Sequence, residues 1–158
     1  MPEVRPRNAA SGVEQAKDGA SFTLAKVCKA HRSNVGALLA GHGLHVGQEM
    51  VLSHLWRQDG QTPSELAERL GVEPPTVTNM LSRMEKAGFL ERCRDQGDAR
   101  CTRVYLTEKG RKLREPVERR WEEVQERAFT DITADEEALL RDILVKIHDN
   151  LTRGSTTE

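Results

Sequence analysis

The stretch that most constrains this chain is residues 62–88, where helix start and stop signals follow one another so closely that only two short helices and a tight turn fit. Thr62 can cap a helix, Pro63 suits its first position, and Glu65 completes a T-x-x-E capping box. The helix so opened spans 63–70, buries Leu66, Ala67 and Leu70, and breaks at Gly71, where a left-handed C-cap conformation is cheap. After Gly71-Val72-Glu73, Pro74-Pro75 opens a second helix with apolar positions Val77, Met80, Leu81, Met84 and Ala87, ended by Gly88. Two short helices joined by a glycine turn make a helix-turn-helix.

A strand pattern follows at once. Residues 89–94 and 101–106 read as the arms of a β-hairpin, and the polar run 95–100 reads as its charged tip. Thr107 then caps a further helix that carries Leu113, Val117, Trp121, Val124 and Ala128, with a kink expected at Pro116. Thr133, with Glu136 three residues later, opens the last helix, which carries Leu139, Leu140, Ile143, Leu144, Ile147 and Leu151. Upstream, Leu24, Val27, Cys28, His31, Val35, Leu38 and Leu39 form one stripe on a helix ending near Gly41, and a second helical pattern runs from about His45 to Arg57. Residues 1–20 hold Pro2, Pro6, Gly12 and Gly19 without apolar periodicity and read as a disordered or loosely docked tail.

The expected fold is therefore mainly α with a small β-hairpin wing: a single domain over 21–153, with a winged helix at about 45–110 flanked by long helices at about 21–40 and 111–153. Only 37% of the residues are hydrophobic and 4% aromatic, so a lone subunit has a thin core. The apolar stripes of Leu24, Val27, Leu139, Ile143 and Ile147 then gain most by burial against a second copy. No window approaches the ~18 apolar residues of a membrane span, and the N-terminus lacks the apolar region of a secretory signal. A cytoplasmic protein without a membrane partner is expected, with its three cysteines reduced.

Net charge is −1, but the average hides an asymmetry: residues 83–114 carry ten basic and five acidic side chains, whereas residues 115–158 carry six and twelve. The basic segment covers the end of the second short helix and the hairpin, which is where a polyanion would be met. On that helix, subtracting the apolar positions leaves Pro75, Thr76, Thr78, Asn79, Ser82 and Arg83 outward, groups suited to base edges and phosphates. The hairpin adds Arg92, Arg94, Arg100 and Arg103.

Residues 44–114 resemble the MarR family of bacterial transcriptional regulators. The resemblance is carried by Gln48, Ser64-Glu65-Leu66-Ala67, Thr76-Val77-Thr78, Arg83-Met84-Glu85-Lys86-Ala87-Gly88, Asp98-Ala99-Arg100 and Leu106-Thr107-Glu108-Lys109-Gly110, in order and at matching spacing. With the terminal helices it covers roughly residues 21–153. It implies a homodimer with interlocked N- and C-terminal helices, presenting two winged helices to a palindromic double-stranded operator. It further implies that Arg100 enters the minor groove with Asp98 helping to orient it. Two residues depart from the family pattern: His45, where Thr is more usual, and Pro75, where a small polar residue is more usual.

The implied function is a homodimeric repressor released by a small ligand, often a phenolic anion in this family, bound in a cleft lined by His31, His45, Gln48 and Trp56. Two alternatives keep the same fold. Some relatives respond to zinc, and Cys28 and His31, one helical turn apart on the same face, have a spacing that can share a metal, with His42 and His45 as further candidates in the glycine-flanked segment that follows. Others sense oxidants, and Cys28, Cys93 and Cys101 are candidates; Cys93 and Cys101 lie on opposite hairpin arms and could pair if they face each other. A different class is a winged helix used for protein contacts without DNA. An enzyme is not expected, because no H-E-x-x-H, nucleophile elbow or phosphate loop is present, and no cofactor is required.

Overall fold

The computed structural model describes residues 19–98 and 100–153; the tail read for residues 1–20 lies, through residue 18, outside the described residues. In chain order the elements are α1 (Ala20–Ala40), α2 (Gln48–Arg57), α3 (Pro63–Leu70), α4 (Pro74–Lys86), β1 (Leu90–Arg94), β2 (Thr102–Leu106), α5 (Glu108–Lys112), α6 (Arg114–Ala128) and α7 (Ala134–Thr152). The chain divides into two compact units, one through Trp121 and one from Glu122 onward.

In the first unit the helix-turn-helix forms as its punctuation dictates. Thr62 Oγ1 accepts from the Glu65 N–H at 3.2 Å, and Glu65 Oε2 accepts from the Thr62 N–H at 2.7 Å. The Thr62 amide holds the Glu65 carboxyl below its ordinary range. Gly71 adopts φ 63°, and the N–H groups of Gly71 and Val72 both return to the Ala67 carbonyl, closing the end of α3. Strands β1 and β2 pair antiparallel from Leu90↔Leu106 to Arg94↔Thr102, and a bridge between Gln61 and Val104 adds a short third edge. Beneath them Leu52, Leu55, Leu66, Val77, Leu81, Met84, Phe89, Leu90, Val104 and Leu106 are each at most 3% exposed, which makes this the core.

The segment Leu106-Thr107-Glu108-Lys109-Gly110 staples the hairpin to this core. Thr107 Oγ1 donates to the Gly88 carbonyl at 2.6 Å and accepts from the Gly110 N–H at 3.1 Å. Lys109 Nζ donates to the Ala87 carbonyl and lies 4.5 Å from the Phe89 ring centre. Trp56 Nε1 donates to the Gly110 carbonyl at 3.0 Å. Gly110 itself is buried directly against the Phe89 carbonyl, so a glycine is required there by close approach.

Two boundaries differ from expectation. The helix expected from His45 begins at Gln48, because Gly47 is left-handed (φ 99°) and the side chains of Gln48 and Glu49 reach back to the N–H groups of His45 and Gly47. The helix after Thr107 is interrupted at Leu113, ahead of the expected kink at Pro116. Proline has no N–H and its ring conflicts with the carbonyl four residues back, here Lys112, so the break falls before the proline and Pro116 sits in the first turn of α6.

The stripe on α1 is only partly buried: Val35 and Leu39 are enclosed, whereas Val27 is 58% exposed and Cys28 and His31 are also exposed. In the second unit, the Thr133 hydroxyl accepts from the Glu136 N–H and Glu136 accepts from the Thr133 N–H, as the sequence predicts. Helix α7 has no buried residue; Leu139, Ile143 and Leu151 are exposed, and Phe129, Leu140, Leu144 and Val145 line an open groove of about 450 Å³.

Candidate nucleic-acid interface

Helix α4 presents one polar face. Pro75, Thr76, Thr78, Asn79 and Arg83 are exposed, and Ser82 is half-buried. Thr78 Oγ1 donates to the Pro74 carbonyl at 3.0 Å, leaving its oxygen lone pairs to accept. The N-terminus of this helix differs from an ordinary anion site. Pro74 and Pro75 have no N–H, and the Thr76 N–H is bonded to the Glu73 carbonyl at 3.0 Å, so the first turn has few amides to offer a phosphate. Any positive charge this face offers to an anion must then come from side chains.

The arginines divide into two groups. Arg83, Arg94 and Arg100 have exposed side chains without a partner among the described residues. At the wing tip the Arg100 N–H donates to Asp98 Oδ1 at 2.9 Å, so Asp98 shapes the backbone that carries Arg100. The Arg103 guanidinium, by contrast, donates to Asp95 Oδ2 at 3.1 Å and to the Gly60 carbonyl at 2.9 Å. The Asp95 carboxyl is held below its ordinary range, first by the Gly97 N–H and then by Arg103. Arg103 thus braces the wing against the loop before α3. Arg92 is also engaged, to Ser82 and Glu85 of α4, a cross-element pairing that helical or strand spacing does not reveal.

Of the cleft residues, the polar groups of two are already committed: Gln48 is buried with its oxygen on the His45 N–H, and Trp56 is bonded to Gly110. His45 is exposed, and the exposed His31 ring lies 5.7 Å from that of Trp121, a neighbour not identified from the sequence. Glu49, also missed, is 4% exposed. Burial pushes its carboxyl above the ordinary value of 4.5, while the amides of Glu49 and Gly47 and the charge of Arg32 pull the other way. The metal candidates Cys28, His31, His42 and His45 are not gathered into one cluster: no group of three or more His, Cys, Asp or Glu residues that could hold an ion occurs among the described residues. All three cysteines are free. Cys93 stands opposite Arg103, and Cys101 lies two positions further toward the tip, its carbonyl accepting from the Asp95 N–H. The two are therefore diagonal rather than facing, and diagonal neighbours are too far apart for a disulfide without backbone movement.

Comparison with known proteins follows the same outline. The MarR family pattern matches residues 44–102. The HTH-type transcriptional regulator TtmR of Methylorubrum extorquens (strain PA1) is 36% identical over 131 residues, covering 82% of this chain and 64% of TtmR, so the chain spans a little under two thirds of that relative. The solved structure of the transcriptional regulator PA3341 is 32% identical, with a TM-score of 0.70, and covers 84% of this chain and 98% of that one. Reduced AbfR bound to DNA is 25% identical, with a TM-score of 0.72, and covers 89% and 96%. The wing, the helix-turn-helix and these relatives agree: the chain belongs to the MarR family of transcriptional regulators.

Proposed function

We propose that the protein is a homodimeric, sequence-specific double-stranded DNA-binding regulator, acting as a repressor that a small organic ligand releases. The observation that carries the reading is the pairing, in one compact unit, of an exposed polar face on α4 with a wing whose Arg94 and Arg100 side chains are exposed and without a partner among the described residues. Thr76, Thr78 and Asn79 read base edges from the major groove, with Pro75 at the start of the helix and Ser82 at the margin of its reading face. Arg83 and Arg94 neutralise phosphates, and Arg100 enters the minor groove from the backbone turn that Asp98 holds. Arg103, first grouped with the contacting arginines, serves by bracing the wing. That AbfR is bound to DNA in its structure supports the same use of this fold.

The homodimer is supported by the exposed apolar side chains of α1 and of α7, which include Val27, Leu139 and Ile143. Ligand release is supported by the exposed imidazoles of His31 and His45 and by the Trp121 ring beside His31, an arrangement suited to an aromatic anion.

The test is fluorescence anisotropy on the duplex upstream of the protein's own gene and on a scrambled duplex of equal length, titrated with salt. Sequence-selective binding should weaken with salt at a log-log slope near −0.9 per phosphate neutralised. Arg100→Ala should weaken specific binding by roughly 1–3 kcal/mol. An unchanged affinity of the folded variant would remove Arg100 from the interface. Absence of salt-sensitive DNA binding would favour a winged helix that contacts protein instead.

A further inference from the structure

We propose that Arg92 is a positioning residue that fixes the recognition helix to the wing through Ser82 and Glu85, and that it sets sequence selectivity without contacting DNA. The inference deepens the DNA-binding reading above and rests on it.

The geometry is a three-point clasp. Arg92 Nη2 donates to Ser82 Oγ at 2.6 Å, Arg92 Nε donates to Glu85 Oε2 at 3.0 Å, and the Arg92 backbone N–H donates to Glu85 Oε1 at 3.2 Å. One carboxylate thus takes both the main chain and the side chain of a residue in β1, while the other arm of the same guanidinium holds a hydroxyl on α4. Ser82 and Glu85 are three residues apart and share one helix face. Ser82 is also one turn beyond Thr78 and Asn79, so the clasp grips the helix at the end of its reading face. The Arg92 and Glu85 side chains are 25% and 40% exposed, which is partial shelter and gives the planar fork a geometry that a flexible ammonium cannot reproduce.

The consequence is a division of labour among the arginines of the wing. Those without partners meet the polyanion, and Arg92 sets the angle at which α4 and the wing are presented together. A misplaced helix loses base contacts while keeping its charge, so selectivity should fall and non-specific attraction should remain.

The test compares wild type with Arg92→Ala, Arg92→Lys, Glu85→Ala and the Arg92→Ala/Glu85→Ala double variant, each checked for retained folding by circular dichroism and thermal unfolding. Anisotropy is measured over a salt range on a duplex selected from random sequence and on its scrambled counterpart. A positioning role predicts that each single variant loses about tenfold on the selected duplex, stays within about twofold on the scrambled one, and keeps the wild-type salt slope. The double variant should be no worse than either single, since both break one clasp. Arg92→Lys is decisive because it retains the charge and loses the fork. If Lys restores wild-type binding, or if the scrambled duplex weakens in parallel with a slope shallower by about 0.9, Arg92 contacts phosphate and the proposal fails. Glu85→Ala supplies an opposite sign. Mere removal of an acidic group near DNA would tighten both duplexes, and that result would also overturn the clasp. A wild-type protein that selects no duplex at all overturns the DNA-binding reading itself, and the clasp's role with it.

Discussion

Replacing Gly110 with alanine sets two physical effects against each other, and the structure decides the sign. Gly110 lies within α5, where alanine is the better helix former by about 0.8–1.0 kcal/mol, so a reading of propensity alone predicts stabilisation. An added Cβ would stand 3.1 Å from both the Phe89 carbonyl carbon and Leu106 Cδ2, and closer still to the Phe89 oxygen. That oxygen belongs to backbone at a residue 2% exposed, and it accepts from the Thr107 N–H at 3.1 Å, so it cannot yield as a flexible side chain would. Overpacking of this kind costs about 1–3 kcal/mol. Moving α5 aside would also strain the Thr107 bond and the Trp56 bond to the Gly110 carbonyl, each worth about 1 kcal/mol. After the propensity gain is subtracted, the variant should be destabilised by about 2–4 kcal/mol. At about 2–4 °C per kcal/mol for a chain of this size, thermal unfolding should fall by roughly 4–16 °C, measured at matched protein concentration because oligomerisation shifts the midpoint. Lys112→Ala, at an exposed position of the same helix, is the control and should change little. A Gly110→Ala variant as stable as wild type, or more so, would refute the argument that this glycine is held by contact.

Glu49→Gln tests the buried carboxyl. Its folded pKa is raised above 4.5 chiefly by burial, so between that value and the raised one the folded chain retains a proton that the unfolded chain has lost, and stability falls as pH rises through the window. The variant, which can still accept from Gly47, should be more stable than wild type near neutral pH, with the difference vanishing in acid; urea unfolding that gives a constant difference at every pH would contradict this. Thr62→Ala removes the cap of α3 and should cost about 1 kcal/mol by urea unfolding. The partner carboxyl of Glu65, held low by the Thr62 amide, contributes stability that is present above its unfolded pKa and is lost as pH falls through the lower folded value. Thr62→Ala keeps that amide, so the acid dependence is tested with Glu65→Gln, which cannot ionise; if that variant showed the same acid dependence as wild type, the capping box would not be its source.

Much of this fold is legible because local chemistry and tertiary structure agree where the signals are dense. Thr62, Pro63, Glu65 and Gly71 each act within one turn of their own position, and the structure places each as its chemistry requires. The same is true of Thr133 with Glu136. The start of α2 was less legible because Gln48 and Glu49 cap backward from inside the helix, a role their side chains share with many solvent-facing residues. At the interface, residue type and helical spacing identify the outward face of α4, but not what each arginine touches. Arg92 reaches a helix ten residues upstream and Arg103 a loop carbonyl at Gly60, contacts that no periodicity encodes. Cys93 and Cys101 show the complementary limit: opposite arms of a hairpin are readable from the turn, but the register, which sets them diagonally, depends on how the tip closes.

If two copies of this chain read DNA together, selection from a random duplex library should enrich an inverted repeat whose half-site centres lie about 34–36 Å apart, one helical turn, as two symmetry-related recognition helices require. Enrichment of a single asymmetric half-site would contradict the dimeric reading, and no enrichment from a folded protein would contradict sequence recognition itself.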